Sequence, residues 1–258
     1  MDLGLKDKVA LVTGAASPIG FGRAIAVTLA KEGCDVIAAD KNLEGAQKTT
    51  AEIESLGRQA MAIEVDITNS SEVNNMVKEA VRKFGKIDIL INNAGVIASF
   101  KPFLEQNEAD WDKVLNVNLK GGMICAKAVL PQMIGRKSGK IVNISSAGAK
   151  RCERTGEAYC ASKAGVIAFT KSLAVDVIES GINVNCIAPG ASNTNLGVEC
   201  ASPEFLKNIL KGILTETPAR RATTPQDVAN MVAYLVSDVA SDIVGQTFSV
   251  DGGLTMTA

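Results

Sequence analysis

A doubly wound α/β fold, a parallel sheet with helices on both faces, is what this sequence predicts. Three observations predict it. Apolar runs rich in Val and Ile recur along the chain. Each is followed by a segment with helical spacing. No Pro- or Ser-rich linker interrupts the alternation over 258 residues, so residues 1–258 read as one domain. The strands expected are Val9 to Thr13, Asp35 to Ala39, Ala60 to Glu64, Ile87 to Ile91, Lys140 to Ser145, Asn183 to Ile187 and Thr247 to Val250. Most are nearly continuous apolar runs, as a sheet covered on both faces requires. The helices expected between them are Gly22 to Glu32, Leu43 to Leu56, Ser71 to Phe84, Glu108 to Met133, Glu157 to Ser180, Pro203 to Ile213 and Pro225 to Val236. Such alternation implies right-handed crossovers and a ligand crevice outside the carboxyl ends of the strands, so functional residues should follow strands.

Composition prunes the chemistry. There is no His, which removes Ser-His-Asp hydrolysis, Cys-His proteolysis and His-ligated metal sites. The six cysteines, Cys34, Cys125, Cys152, Cys160, Cys186 and Cys200, form no C-x2-C pair, so buried reduced thiols are expected and no metal site. With 27 Lys plus Arg against 28 Asp plus Glu and no like-charge block, a nucleic-acid partner is not expected. No uncharged apolar stretch reaches the roughly 18 residues of a membrane span. Met1 to Lys8 carries Asp2, Lys6, Asp7 and Lys8 without a signal-type apolar core, and the expected location is cytoplasmic.

Strand, glycine turn and helix meet at Thr13-Gly14-Ala15-Ala16-Ser17-Pro18-Ile19-Gly20-Phe21-Gly22. Glycines let the backbone approach a pyrophosphate, and a helix N-terminus offers free N–H groups and a positive dipole end. Asp40 ends the second strand 18 residues beyond Gly22, where a carboxylate can accept ribose hydroxyls and would repel a 2′-phosphate. Asp66 and Ile67 end the third strand within reach of an adenine. An ordinary turn and two capping aspartates would give the same residues singly; their combination favours a dinucleotide. Farther on come Asn92-Asn93-Ala94-Gly95, Asn118, the pair Ser145-Ser146 and Tyr159-Cys160-Ala161-Ser162-Lys163. Tyr159 and Lys163, at i and i+4, share a helix face. A neighbouring ammonium lowers a Tyr pKa from about 10 toward the working range, and in a chain without His this phenol is the general acid/base to expect.

These motifs together resemble the short-chain dehydrogenase/reductase family over essentially the whole chain, from Thr13-Gly14 to Val250-Asp251-Gly252-Gly253. The resemblance implies a Rossmann fold and gives four catalytic roles. Tyr159 exchanges a proton with the substrate oxygen, Ser146 orients that oxygen, Lys163 binds the nicotinamide ribose and depresses the Tyr pKa, and Asn118 holds a helix distortion and a water. The separation of 13 residues between Ser146 and Tyr159 matches the family spacing and favours Ser146 over Ser145. It also implies an NAD site built from Gly14, Ser17, Ile19, Gly20, Asp40, Asp66, Ile67, Asn93, Ala94, Gly95, Tyr159, Lys163, Pro189, Gly190 and Thr194, and a homotetramer.

The glycine turn departs from the usual T-G-x3-G-x-G pattern by two extra residues. That length resembles the enoyl-acyl-carrier-protein reductase branch, but there six residues intervene between the active Tyr and Lys, whereas three intervene between Tyr159 and Lys163 here. The expected reaction is therefore interconversion of a small-molecule secondary alcohol and a ketone with NAD. The alternatives are a 3-oxoacyl thioester reductase using NADPH, which Asp40 disfavours although Lys41 could soften that, and a non-catalytic NAD-sensing protein. Between Ser146 and Tyr159, Lys150, Arg151 and Arg154 face Glu153 and Glu157 for a local charge of +1, and Arg151 is the candidate to hold a substrate anion, against a solvated loop as the simpler alternative.

Overall fold

The computed structural model describes residues 2–152 and 154–256. Seven strands form one parallel sheet in the order β3-β2-β1-β4-β5-β6-β7: β1 Val9–Thr13, β2 Asp35–Asp40, β3 Ala60–Glu64, β4 Ile89–Asn92, β5 Gly139–Ile144, β6 Ile182–Pro189 and β7 Thr247–Val250. The helices are α1 Phe21–Lys31, α2 Leu43–Ser55, α3 Ser70–Phe84, α4 Glu108–Leu115, α5 Gly122–Arg136, α6 Glu157–Val177, α7 Pro203–Glu216 and α8 Pro225–Leu235. This is the doubly wound Rossmann architecture. One apolar layer joins α1, α2 and α8 to the sheet through Ile25, Leu29, Ile53 and Val232; the other joins α3, α5 and α6 through Met76, Val129, Met133 and Val177. Burial of both sheet faces explains the unbroken apolar strands.

Three of the differences from expectation have a physical reason visible in the structure. The strand expected from Ile87 begins at Ile89, because the Ile87 carbonyl accepts from Gln132 Nε2 and Arg136 Nη2 of α5. The long helix expected from Glu108 to Met133 is divided by a π-type turn, Asn116–Gly121, between α4 and α5, and it extends to Arg136. The strand expected to stop at Ile187 continues through Pro189, because β7 pairs Phe248 with Ile187 and Val250 with Pro189. At the ends, α6 closes with a tight turn at Ile178–Ser180 and α7 runs on to Glu216.

The chain leaves β3 and crosses to β4 on the far side of β1, so strand order reverses between β1 and β4. Thr13 and Asn92-Asn93 lie at the carboxyl ends of those two strands, which is where such a sheet opens a ligand crevice.

Candidate active site

The turn after β1 is held by close backbone approach. Gly14 has φ +69°, and a β-carbon there would lie 2.8 Å from Ala94 Cα. At Gly22 a β-carbon would sit 2.1 Å from the Gly14 carbonyl oxygen, so only glycine lets the first turn of α1 press against the loop. Asn93 braces the contact: its Nδ2 donates to the carbonyls of Thr13 (2.9 Å) and Gly14 (3.0 Å), while Thr13 Oγ1 accepts from the Asn93 and Ala94 amides. The Asn93 side chain is thus spent on the loop itself. Gly20 precedes α1 with no side-chain cap, and the first turn carries no acidic residue, which leaves a positive helix end beside Ser17, Ile19 and Gly20.

Asp40 closes β2 beside this turn. Its Oδ2 accepts from the Ala16 amide and its Oδ1 from the Asn42 amide, both at 3.0 Å, and each oxygen retains a lone pair for a further donor. Asp66 is paired with Lys41 at 2.8 Å. Partial burial alone would raise its carboxyl, but bonds from Lys41 and Thr68 outweigh this and hold it below the usual range. Lys41, the cation nearest Asp40 in sequence, is thereby engaged by another acid. Ile67 packs under the π-type turn, where a β-carbon at Gly121 would come within 2.6 Å of its Cδ1.

Across the crevice, β5 delivers Ser145 and Ser146. Ser145 is buried and its Oγ donates to the Lys163 carbonyl at 2.7 Å, a structural use. Ser146 Oγ accepts from the Gly148 amide at 3.1 Å and lines the open cleft. A β-carbon at Gly148 would lie 3.4 Å from Ser146 Oγ and 3.6 Å from Tyr159 Cε1, so hydroxyl and phenol ring border the same small space. On α6, Lys163 Nζ lies 5.8 Å from the centre of the Tyr159 ring and donates to the Ile144 carbonyl at 2.9 Å. Burial lowers the Lys163 pKa to about 8, with a small opposing contribution from Cys186.

Asn118 sits in the π-type turn and fixes it to two neighbours. Its Oδ1 accepts from the Val96 amide (2.7 Å), and its Nδ2 donates to the Val96 carbonyl (2.9 Å) and Ser162 Oγ (3.1 Å). Ser162 Oγ in turn donates to the Tyr159 carbonyl at 2.7 Å. The distortion is therefore bonded to the helix that carries the Tyr–Lys pair. Ser162 is a link the sequence reading missed; its only signal was a small hydroxyl between the two. A β-carbon at Gly95 would lie 3.3 Å from Lys163 Nζ and 3.4 Å from Asn118 Oδ1, so Gly95 keeps the approach to both open.

Ser146 and Tyr159 open onto a cleft of about 1020 Å³ that is also lined by Ile19, Pro189, Gly190, Thr194 and Arg151. Arg151 does not stand free in it: its guanidinium donates to the Glu216 carboxylate at the end of α7. Of its charged neighbours, Lys150 donates to Ser249 Oγ, Glu157 accepts from Gln106, and Glu153 lies outside the described residues. One wall of the cleft is formed by residues of α7, among them Leu206, Lys207, Leu210 and Ile213.

The comparisons with known proteins agree with this geometry. Residues 14–255 match the family model described as Enoyl-(Acyl carrier protein) reductase. The chain is 36% identical over 260 residues to the (2S)-[(R)-hydroxy(phenyl)methyl]succinyl-CoA dehydrogenase subunit BbsD of Thauera aromatica, covering 99% of this chain and 100% of that one. It is 40% identical over 251 residues to the 3-oxoacyl-[acyl-carrier-protein] reductase FabG of Staphylococcus aureus, covering 96% of this chain and 98% of that one. This protein is a short-chain dehydrogenase/reductase. Among solved structures, a 7α-hydroxysteroid dehydrogenase complexed with NADH and 7-oxo glycochenodeoxycholic acid superposes with a TM-score of 0.90 at 36% identity, covering 98% of this chain and 96% of that one. The chain is thus an oxidoreductase of that family. None of its described helices is long and apolar enough to cross a membrane.

Proposed function

We propose that this short-chain dehydrogenase/reductase is a cytoplasmic NAD(H)-dependent dehydrogenase interconverting a secondary alcohol and a ketone. The observations that support the reading are that Ser146 and Tyr159 line one cleft with Ile19 of the glycine turn, that Lys163 and Asn118 meet at Gly95, and that Asp40 is bonded to Ala16 of that same turn. Residues on the page fit a dinucleotide. The uncapped start of α1 suits its phosphates, and the Asp40 lone pairs suit ribose hydroxyls. Toward the nicotinamide end, Ser192 Oγ is buried without a partner among the described residues, between Gly190 and Thr194. Lys163 and the backbone of Asn93, Ala94 and Gly95 would hold the nicotinamide ribose, Gly95 adjoining Lys163 Nζ and Ala94 adjoining Gly14. When bound, NAD supplies the two-electron acceptor for the carbinol hydrogen.

The chain's own groups handle the proton. In oxidation the Tyr159 phenolate takes the alcohol proton; in reduction the phenol returns it to the carbonyl oxygen. Ser146 holds that oxygen by a hydrogen bond, and the Lys163 ammonium favours negative charge on the phenol oxygen. A second reading, reduction of a 3-oxoacyl thioester, is favoured by one finding: both curated relatives above act, by their names, on thioester-linked substrates. Such a substrate would still react at a secondary alcohol or ketone carbon, so the two readings share Tyr159 and differ in handle and cofactor.

We also propose a homotetramer. Of Val129, Leu130, Ile167 and Phe169, whose apolar surface on the two long helices exceeds what one core stripe needs on the sequence reading, Val129, Leu130 and Phe169 pack on the core and Ile167 is half-buried outside it; the large apolar residues exposed on α5 and α6 are Met123, Ile134 and Val175. Light scattering giving 26.9 kDa, the mass of one chain, would remove this proposal. The activity is tested with a panel of secondary alcohols, ketones and 3-oxoacyl thioesters against NAD(H) and NADP(H). The expected result is turnover of non-thioester pairs, with NAD preferred by roughly tenfold or more in kcat/KM, or about 1.4 kcal/mol. Turnover confined to thioesters with NADPH would replace the first reading by the second.

A further inference from the structure

The cleft beside Tyr159 has two chemical characters. Its walls are apolar, with Ile97, Val198, Leu206, Leu210 and Ile213 from the loops and α7, and with Phe100 and Phe205 meeting edge-on at 5.4 Å between ring centres. Its charged lining is Arg151, Arg154, Lys207 and Glu216, three cations against one carboxylate. The excess is located on particular residues. Glu216 is paired with Arg151, and Glu157, the acid of the Ser146–Tyr159 loop within the described residues, accepts from Gln106 and is not among the residues that line the cleft. Arg154 and Lys207 have no hydrogen bond or ion pair from their side chains among the described residues. They come from different elements, the loop before α6 and α7 itself, and face the same opening.

We infer that the cleft takes an amphipathic substrate, an apolar body bearing an anionic group away from the reacting carbon, and that Arg154 and Lys207 receive the anion. This rests on the reading of Tyr159 as the reacting centre. The apolar walls favour a body that leaves water, whereas an anion could not follow it inward without a partner. Placed at the rim, the anion keeps part of its hydration and gains two cations, one of them a planar fork suited to carboxylate or phosphate. At about 1020 Å³ the cleft is at the upper end of the roughly 300 to 1000 Å³ common for ligand sites, large enough for such a body beside a nicotinamide. The anion could be a carboxylate on the substrate or a phosphate of a thioester carrier; both present oxygens to the same two side chains.

The experiment measures affinity by calorimetry, and turnover in parallel, for the protein with NADH present. One probe pair is 9-oxodecanoate and its methyl ester; the other is acetoacetyl-CoA and S-acetoacetyl-N-acetylcysteamine. The charged member of at least one pair is expected to bind roughly tenfold more tightly at low ionic strength, and the gap should shrink with salt. In the double variant Arg154→Gln, Lys207→Gln the gap should fall below about threefold, with the neutral member unaffected. A gap in the first pair identifies a substrate carboxylate, and a gap only in the second identifies a carrier phosphate. Equal affinity within both pairs, or a gap that survives the double variant, overturns the inference. A charge preference in binding without turnover of either pair counts against the dehydrogenase reading and leaves this one standing; equal turnover and binding of charged and neutral members does the reverse.

Discussion

The two sides of the crevice are built on opposite plans. On the cofactor side, around the turn after β1, side chains bond to backbone: Asn93 to Thr13 and Gly14, Asp40 to Ala16 and Asn42, Thr49 Oγ1 to the Ala15 carbonyl. Spaces there are closed to within a β-carbon. On the substrate side, α7 buries none of its residues and is tied down by side-chain tips, Phe205 against Phe100 and Glu216 against Arg151. The first arrangement presents one fixed surface to a ligand that never changes. The second costs little to reshape, which suits the wall that meets the variable part of the substrate.

The sharpest way to break this contrast is to add one carbon on each side. Gly22→Ala places a β-carbon against the Gly14 carbonyl and Asn93, and we expect a loss of about 3 kcal/mol in unfolding free energy, at the upper end for overpacking. NAD affinity should fall by more than about a hundredfold, because the turn must move away from the helix start. Denaturant melts and titration with NAD check both. If Gly22→Ala binds NAD normally, the close approach has no function.

The second effect concerns Lys163. Its folded-state pKa of about 8 lies below the roughly 10.4 of an unfolded lysine, so between these values the unfolded state carries more protons and stability rises with pH. The buried charge therefore costs stability below pH 8, and that cost disappears as pH rises through the interval. Comparing Lys163→Met with wild type from pH 7 to 10, the variant's advantage or deficit in Tm should shift in favour of wild type. Parallel profiles would show that Lys163 is not held in a desolvated site.

Smaller still is the effect of Asp40→Ala. Removing the carboxylate from Ala16 and Asn42 should cost about 1 kcal/mol of stability, and the NAD preference of roughly tenfold should fall toward unity. An unchanged ratio of kcat/KM for NAD over NADP would place the discrimination elsewhere. The smallest change is Gly212→Ala in α7, where nothing beyond the helix's own backbone lies within 4 Å of the added carbon. It should stabilise the helix by at most about 1 kcal/mol and leave cofactor affinity untouched. A large effect from Gly212→Ala would mean that the substrate wall is as tightly specified as the turn.

The same contrast governs how much could be read from sequence. Gly14, Gly22 and Asp40 were legible because each is a residue whose chemistry suits one backbone position, and the strands were legible because burial on both faces leaves little choice but Val, Ile, Leu and Ala. The π-type turn at Asn116–Gly121 was not visible in hydrophobic spacing, since one added residue per turn does not change which residue types suit a helix; only the family resemblance implied a distortion at Asn118. The partner of Arg151 was equally hidden. Glu216 is 65 residues away, on a helix whose docking depends on a few tips. Cofactor geometry is written in local residue types, whereas the substrate wall depends on long-range placements that local pattern does not encode.

In the proposed reaction Tyr159 moves the proton while the opposite side of the crevice holds NAD independently of it. The direct test is Tyr159→Phe, which keeps the ring and removes the hydroxyl, with kcat and NAD affinity measured on the same preparation. We expect kcat to drop by at least about a hundredfold, within the range for loss of a general acid/base, and NAD affinity to stay within a fewfold of wild type. A variant retaining about a tenth of the wild-type rate, or one that loses NAD along with turnover, would contradict that account.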